Sequence, residues 1–131
     1  MKDIMVDDFQ NSVEESLIRH KSIIDIMTKL GESTTRVNRA LAKSVTNCGC
    51  ISISAKKQNI PDYASLNDIS DHLGYQIEGK LCDNCIEVLE DEIGTNLYYI
   101  AGLCNALGIN LFDIILKQYD KIQTLGKFSM L

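Results

Sequence analysis

Residues 82–111, CDNCIEVLEDEIGTNLYYIAGLCNALGINL, decide the fold. Apolar side chains recur there at steps of three and four residues, which is the period of one face of an α-helix. The stripe consists of Ile86, Leu89, Ile93, Leu97, Ile100, Ala101, Cys104 and Leu107. Asp83 is a suitable N-cap and Gly108 a suitable stop. The stretch therefore predicts one long amphipathic helix with Cys104 in the core.

A further helix is predicted directly downstream. The run Asn110-Leu111-Phe112-Asp113 has the composition of a helix start, and Gly126 lies near the expected end. The helical period assigns its buried face to five side chains, Leu111, Ile114, Ile115, Tyr119 and Ile122.

Upstream, apolar residues keep a helical period from Phe9 to Val45. We expect helix from about residue 8 to 46, capped by Asp7 or Asp8 and broken near residue 20 or at Gly31. Between this region and the long helix, residues 51–54 and 75–78 alternate like two short strands that could pair. Ser65–Asp68 resembles a capping box that opens a short helix ending at Gly74.

Together these elements predict an all-α antiparallel bundle of about four main helices with one elaborated crossover. The chain has 131 residues, 45% of them hydrophobic, so a single domain over 1–131 can form a core without disulfides. The formal net charge of −5 disfavours nucleic-acid binding. No run is apolar enough for a membrane span or a signal peptide, so we expect a cytoplasmic protein.

Four of the five cysteines fall into two pairs, Cys48-Gly49-Cys50 and Cys82-Asp83-Asn84-Cys85. Each pair can fix two corners of a metal tetrahedron, and the pairs flank an insert at about residues 47–85. The spacing predicts a structural zinc clamp on Cys48, Cys50, Cys82 and Cys85. Unrelated packed thiols and a redox dithiol at Cys82–Cys85 are the alternatives, and iron also fits four thiolates.

The helix after the second cysteine pair carries an acidic cluster. Its members are Glu87, Glu90, Asp91 and Glu92. Carboxylates four residues apart can share a Mg²⁺ ion, and acids near a helix start also stabilise the helix dipole without any ligand.

The run DEIGTNLYYIA at 91–101, with NALGINL at 105–111, resembles the last two helices of MazG-like nucleoside-triphosphate pyrophosphohydrolases. KLGE at 29–32, followed by VNRAL at 37–41, is similar to the first metal-binding helix of that family. The resemblance implies an all-α MazG-like bundle that works as a dimer or tetramer. It also implies Mg²⁺ bound by an E-x-x-E pair and an E-x-x-D pair.

The family's metal motif is incomplete in this chain. Glu32 and Glu92 match the opening acids of the two pairs, whereas Arg36 stands where an acid is expected and Thr95 replaces the aspartate. The resemblance therefore implies catalytic roles for Glu32 and Glu92 alone.

Other residues could assist the carboxylate pair. Glu90 and Asp91 are the candidate helpers at the metal, and Arg36 and Lys121 are candidates for binding a phosphate. Arg36 could instead form an ion pair with Glu32 or Glu92.

Two functions remain open at this point. The first is a degenerate MazG-like domain that acts as a regulatory, nucleotide-sensing or protein-binding module. The second is an active Mg²⁺-dependent enzyme that cleaves a nucleoside triphosphate to the monophosphate and pyrophosphate. Under both we expect a homo-oligomer, with a nucleotide or a protein as further partner.

Overall fold

The computed structural model describes residues 2–126. The elements follow in the order α1 (Lys2–Ser16), α2 (Ile23–Lys43), a π-helical turn (Ser44–Cys48), β1 (Ile51–Ile53), α3 (Leu66–Ile69), a 3-10 turn (Ser70–His72), β2 (Ile77–Gly79), α4 (Asp83–Leu107) and α5 (Leu111–Leu125). The described chain is mostly helical, and α1, α2, α4 and α5 are its long elements. This confirms the predicted all-α class.

The predicted helical region from about residue 8 to 46 consists of two helices, with the break at the first of the two predicted places. α1 begins at residue 2, so Asp7 and Asp8 lie inside it and the capping role predicted for them is wrong. The break falls near residue 20, where His20 has a positive φ of 35° and Ser22 caps α2 by accepting a hydrogen bond from the Asp25 N–H at 3.1 Å. Gly31 lies within α2, so the alternative break there is wrong.

α2 and α4 form an antiparallel pair. The end of α2 lies at the start of α4, where Cys48 and Cys82 are in contact, and Asn96 donates hydrogen bonds to Ser33 and Thr34 half-way along, at 3.0 and 2.9 Å. Six covered positions along α2 and the turn after it recur at alternating steps of four and three, as in a bundle seam. They are Ile26, Leu30, Ser33, Val37, Ala40 and the following Ser44.

The buried core lies at the opposite end of α4 from the cysteines. Val13 of α1, Ala101 and Cys104 of α4 and Leu111 of α5 form one cluster of buried side chains. The expectation that Cys104 belongs to the core is thereby confirmed.

Gln10 joins α1 to the turn between α4 and α5. Its side-chain amide donates to Asn105 Oδ1 at 2.9 Å and to the Ile109 carbonyl at 2.8 Å, and its Oε1 accepts from the Leu111 N–H at 2.8 Å. Asn105 in turn donates to the Gln10 carbonyl at 3.0 Å. One buried side chain thus satisfies three polar groups of the α4–α5 corner.

We expect Gln10→Ala to lower the free energy of unfolding by about 3 kcal/mol, because it leaves buried polar partners without hydrogen bonds. Urea unfolding followed by circular dichroism measures this loss. Asn11→Ala, at the exposed neighbouring position of α1, is the matched control and should stay within about 0.5 kcal/mol of the parent. An equal effect of the two variants would contradict the joining role of Gln10.

The crossover contains the expected two-stranded ribbon. β1 and β2 pair antiparallel, with Ile51 opposite Gly79, Ser52 opposite Glu78 and Ile53 opposite Ile77. Beyond the ribbon, α3 and the 3-10 turn form the short helical segment predicted from the capping box, and it ends at His72 rather than at Gly74. Ser65 donates to the Asp68 carboxylate at 2.8 Å but makes no side-chain cap to the backbone.

The buried face predicted for α5 is wrong except at its first residue. Leu111 is buried, whereas Ile114, Ile115, Tyr119 and Ile122 are exposed. The reason is the path of the chain, because α5 leaves α4 at an angle of 107° and its packing is against α1.

No single helix within residues 2–126 combines the length and the apolar composition needed to cross a membrane. α4 and α5 reach that requirement only as a bent pair.

Candidate metal centre

Four cysteine thiols meet where the crossover leaves α2 and rejoins α4. Cys48 ends the π-helical turn and Cys50 precedes β1, while Cys82 and Cys85 lie at the start of α4. All four Sγ atoms lie within 4.8 Å of one another. Cys48 is exposed, Cys50 and Cys82 are half-buried and Cys85 is buried. The two pairs predicted from their spacing are therefore brought together in one cluster.

The first pair is shaped by the end of α2. Gly49 has a φ of +79°, a conformation that glycine adopts without strain, and this turns the chain back between the two cysteines. The carbonyl of Ser44 accepts from the Gly49 N–H at 2.9 Å and from the Cys50 thiol at 3.8 Å. The sharp turn lets both sulphur atoms point to the same place.

The second pair is shaped by the start of α4. Cys82, not the predicted Asp83, is the N-cap, and its sulphur accepts a hydrogen bond from the Cys85 N–H at 3.5 Å. A cysteine takes the capping position because its sulphur can act as an acceptor there. The positive end of the helix dipole favours thiolates at this position.

The distances suit a tetrahedral metal ion. Four sulphurs each about 2.3 Å from a common zinc are about 3.8 Å apart along the edges of the tetrahedron. The Cys48 and Cys82 sulphurs are separated by 3.8 Å, far beyond the bond length of a disulfide, and all four cysteines are free thiols. The cluster can therefore hold a metal ion through four sulphur ligands.

The thiols affect one another strongly. The Cys85 N–H and thiol stabilise the Cys82 thiolate and lower the pKa of Cys82 to about 7. At Cys85, a hydrogen bond with Ser44 lowers the pKa, but the Cys82 sulphur, burial and the other two thiols outweigh it and raise the pKa to about 12. Four thiolates this close together repel one another. A bound cation is therefore needed before all four sulphurs can lose their protons.

Glu32, the first predicted catalytic acid, is held by cations of its own helix. Arg36 Nε lies 3.3 Å from the Glu32 carboxylate and Lys29 Nζ lies 3.8 Å from it. The structure thus contains one of the two ion pairs considered for Arg36. It is an exposed pair between neighbouring turns of α2.

The remaining predicted carboxylates lie on α4. Glu92 is half-buried, and Glu90 and Asp91 are exposed. Lys121 is exposed on α5, the helix that packs on α1. Among residues 2–126, the four cysteines are the one group of three or more histidine, cysteine, aspartate or glutamate side chains whose ligand atoms converge. The magnesium and phosphate roles therefore stay predictions.

Two residues that support the site or the helix pair were not predicted from the sequence. Ser44 supports both cysteine pairs, and Asn96 bridges to Ser33 and Thr34 in the α2–α4 seam. Ser33 and Ser44 are small polar residues at seam positions of the helical period. That placement was the signal in the sequence that they have a role. Nothing in the spacing identified their partners.

Comparisons of the chain with protein-family models, with curated proteins and with solved structures find no match.

Proposed function

We propose that the four cysteines bind one structural zinc ion. Four thiolates on two tight turns are the ligand set of closed structural zinc sites, and they leave no coordination position for a reacting water. The ion would join the end of α2 to the start of α4 and close the crossover between them. The observation that supports this proposal most directly is that the four sulphur atoms lie within 4.8 Å of one another.

Metal analysis of the purified protein tests the identity of the ion. We expect one zinc per chain and no visible absorption, because Zn²⁺ has a filled d shell. Iron at the same four thiolates would colour the protein and would contradict the zinc assignment. A folded protein that contains no metal would contradict the site itself.

We infer further that the protein acts by binding a partner protein rather than by catalysis. The chain exposes 9922 Å² of surface. Folded monomers of this mass expose about 6,900 Å². Large apolar side chains on all four long helices contribute to the exposed area, among them Phe9, Met27, Leu97 and Tyr119. Apolar side chains exposed along every long helix are typical of proteins that bury them against a partner.

Arg36 and Thr95, which stand where the resembled family has acids, favour binding over hydrolysis. A carboxylate that already has Arg36 and Lys29 beside it loses those contacts when it turns to a metal ion. We therefore propose that the chain is a degenerate MazG-like domain, in which Arg36 stands at the position of a metal-binding acid.

Pyrophosphate release from a panel of nucleoside triphosphates, with Mg²⁺ or Mn²⁺, tests this proposal. We expect the parent protein and Glu92→Gln to give the same background rate. Release by the parent that Glu92→Gln abolishes, with an unchanged melting temperature, would contradict the binding role and establish a pyrophosphohydrolase.

A further inference from the structure

The four-cysteine cluster is open to solvent at Cys48. This side chain is exposed, whereas the other three thiols of the cluster are half-buried or buried. The fifth cysteine, Cys104, is only 5% exposed in the core. Oxidation of cysteine follows solvent exposure and thiolate character. Cys48 is therefore the sulphur atom that a small oxidant in solution meets first.

A bound zinc ion would keep Cys48 in its reactive form. Metal ligation removes the proton of a coordinating thiol, so each cysteine ligand is a thiolate at neutral pH. The thiolate, not the thiol, is the nucleophilic form of cysteine. The proposed zinc site and an oxidation site at Cys48 thus require the same chemical form of the residue.

A second sulphur atom lies in position to react with an oxidised Cys48. The sulphur of Cys82 lies 3.8 Å from that of Cys48, although the two residues are 34 positions apart in the sequence. A disulfide bond is about 2.05 Å long, so the two sulphurs need to approach each other by less than about 2 Å. The bond would join the end of α2 to the start of α4, which are the same two elements that the ion joins.

A cavity of about 180 Å³ lies beside the cluster, with Cys48 and Cys85 among its lining residues. Its volume is sufficient for a molecule of the size of hydrogen peroxide. Lys43, Asn47 and Asn84 also line the cavity, and their side chains carry N–H donors. Such donors stabilise the hydroxide ion that leaves when the O–O bond of a peroxide breaks.

We propose that Cys48 is a site of oxidation by hydrogen peroxide and that Cys82 completes the reaction by forming a disulfide with it. The Cys48 thiolate attacks one peroxide oxygen, the O–O bond breaks, and the hydroxide that leaves takes a solvent proton and becomes water. Cys48 is then a sulfenic acid. The Cys82 thiolate attacks the Cys48 sulphur, the S–O bond breaks, and the second hydroxide also becomes water. Two thiolates have then given two electrons to one peroxide.

The disulfide removes two of the four zinc ligands. Cys50 and Cys85 remain, and two thiolates are fewer than the four ligands that a structural zinc site requires. We therefore expect the ion to leave. The end of α2 stays joined to the start of α4 by the new bond, whereas Cys50, which precedes β1, loses its attachment. This inference rests on the proposed zinc site and gives that site a regulatory role.

The test is zinc release from the metal-loaded full chain in hydrogen peroxide, followed with a chromogenic chelator too weak to remove zinc from the untreated protein. We expect one disulfide for each zinc released, and recovery of the site after addition of a thiol reductant and zinc. Cleavage before Asp83 separates Cys82 from Cys85, and tandem mass spectrometry of the fragments should find Cys48 linked to Cys82. A bond between Cys82 and Cys85, or release without a disulfide, would overturn the proposal.

Cys48→His and Cys50→His form a matched pair of variants. Each replaces one sulphur ligand by a nitrogen ligand, and three cysteines with one histidine are also a structural zinc set. Only the first variant removes the exposed thiol. We expect Cys48→His to release zinc at least about tenfold more slowly than the parent, and Cys50→His to release it at the rate of the parent. Equal rates in the two variants would contradict the role of Cys48.

The oxidised parent gives an answer even where a histidine variant fails to fold, because its disulfide is mapped without any substitution. Zinc is measured before peroxide is added, so the zinc site and the oxidation site are tested separately. A parent that contains one zinc and keeps it in peroxide would overturn the oxidation site and leave the structural zinc ion in place. A folded parent that contains no zinc would overturn both.

Discussion

Cys82→Ser will lower the melting temperature by roughly 15 °C, the size of effect expected when a small domain loses a structural metal. The serine keeps the helix cap, because a hydroxyl at the N-cap accepts from the backbone as well as sulphur does. The lost stability therefore reports the metal ligand alone. Thermal unfolding by circular dichroism, with metal analysis of the same sample, measures the effect.

Chelation should reproduce this loss in the parent. A strong chelator removes the ion, and the free energy of metal binding that supports the folded chain is lost with it. Cys104→Ala is the matched control for sulphur chemistry, because Cys104 lies in the core between α1, α4 and α5. We expect this variant to keep one metal per chain. A Cys82→Ser protein with the same melting temperature as the parent would refute the structural role of the site.

The local signals in the sequence predicted most of the elements correctly. Gly108 ends α4 with a φ of +68°, and Asn110 caps α5 by accepting from the Asp113 N–H at 2.9 Å. The cysteine spacing predicted the cluster because two short turns leave each pair little freedom. The two helix ends and the turn within each cysteine pair depend on neighbouring residues, so one segment contains the information for each.

Some helix ends were misplaced by a few residues, but the larger errors concern features that depend on distant residues. The periodicity of α5 is that of an amphipathic helix, but periodicity does not say what covers the apolar face, and in the single chain the face is open from Ile114 onward. The joining role of Gln10 was equally hidden, because its partners lie 95 or more positions away in the sequence. The local sequence around Gln10 contains no information about contacts with residues so far away in the chain.

Zinc binding should be as sensitive to a change in the β1–β2 ribbon as to a change in the cysteines themselves. Gly79 is the critical position of the ribbon. Gly79 has a φ of +89°, and a Cβ atom placed there would lie 2.6 Å from the Cys50 carbonyl oxygen. The contact is with the backbone of Cys50, one of the four proposed zinc ligands, so no side-chain rotation relieves it. The strain of the positive φ alone costs about 1–3 kcal/mol in a residue with a Cβ.

We therefore expect Gly79→Ala to displace Cys50 and to weaken zinc binding by about tenfold or more, the size of effect found when residues that support a metal ligand are replaced. Competition with a chromogenic chelator measures the affinity. Gly74→Ala is the matched control in the same crossover, because nothing lies within 4 Å of its added methyl group. Equal zinc affinity in the two variants would show that the ribbon does not hold Cys50 in place. A selective loss at Gly79 would mean that β1–β2 pairing and the four thiolates form one cooperative unit at the end of the α2–α4 pair.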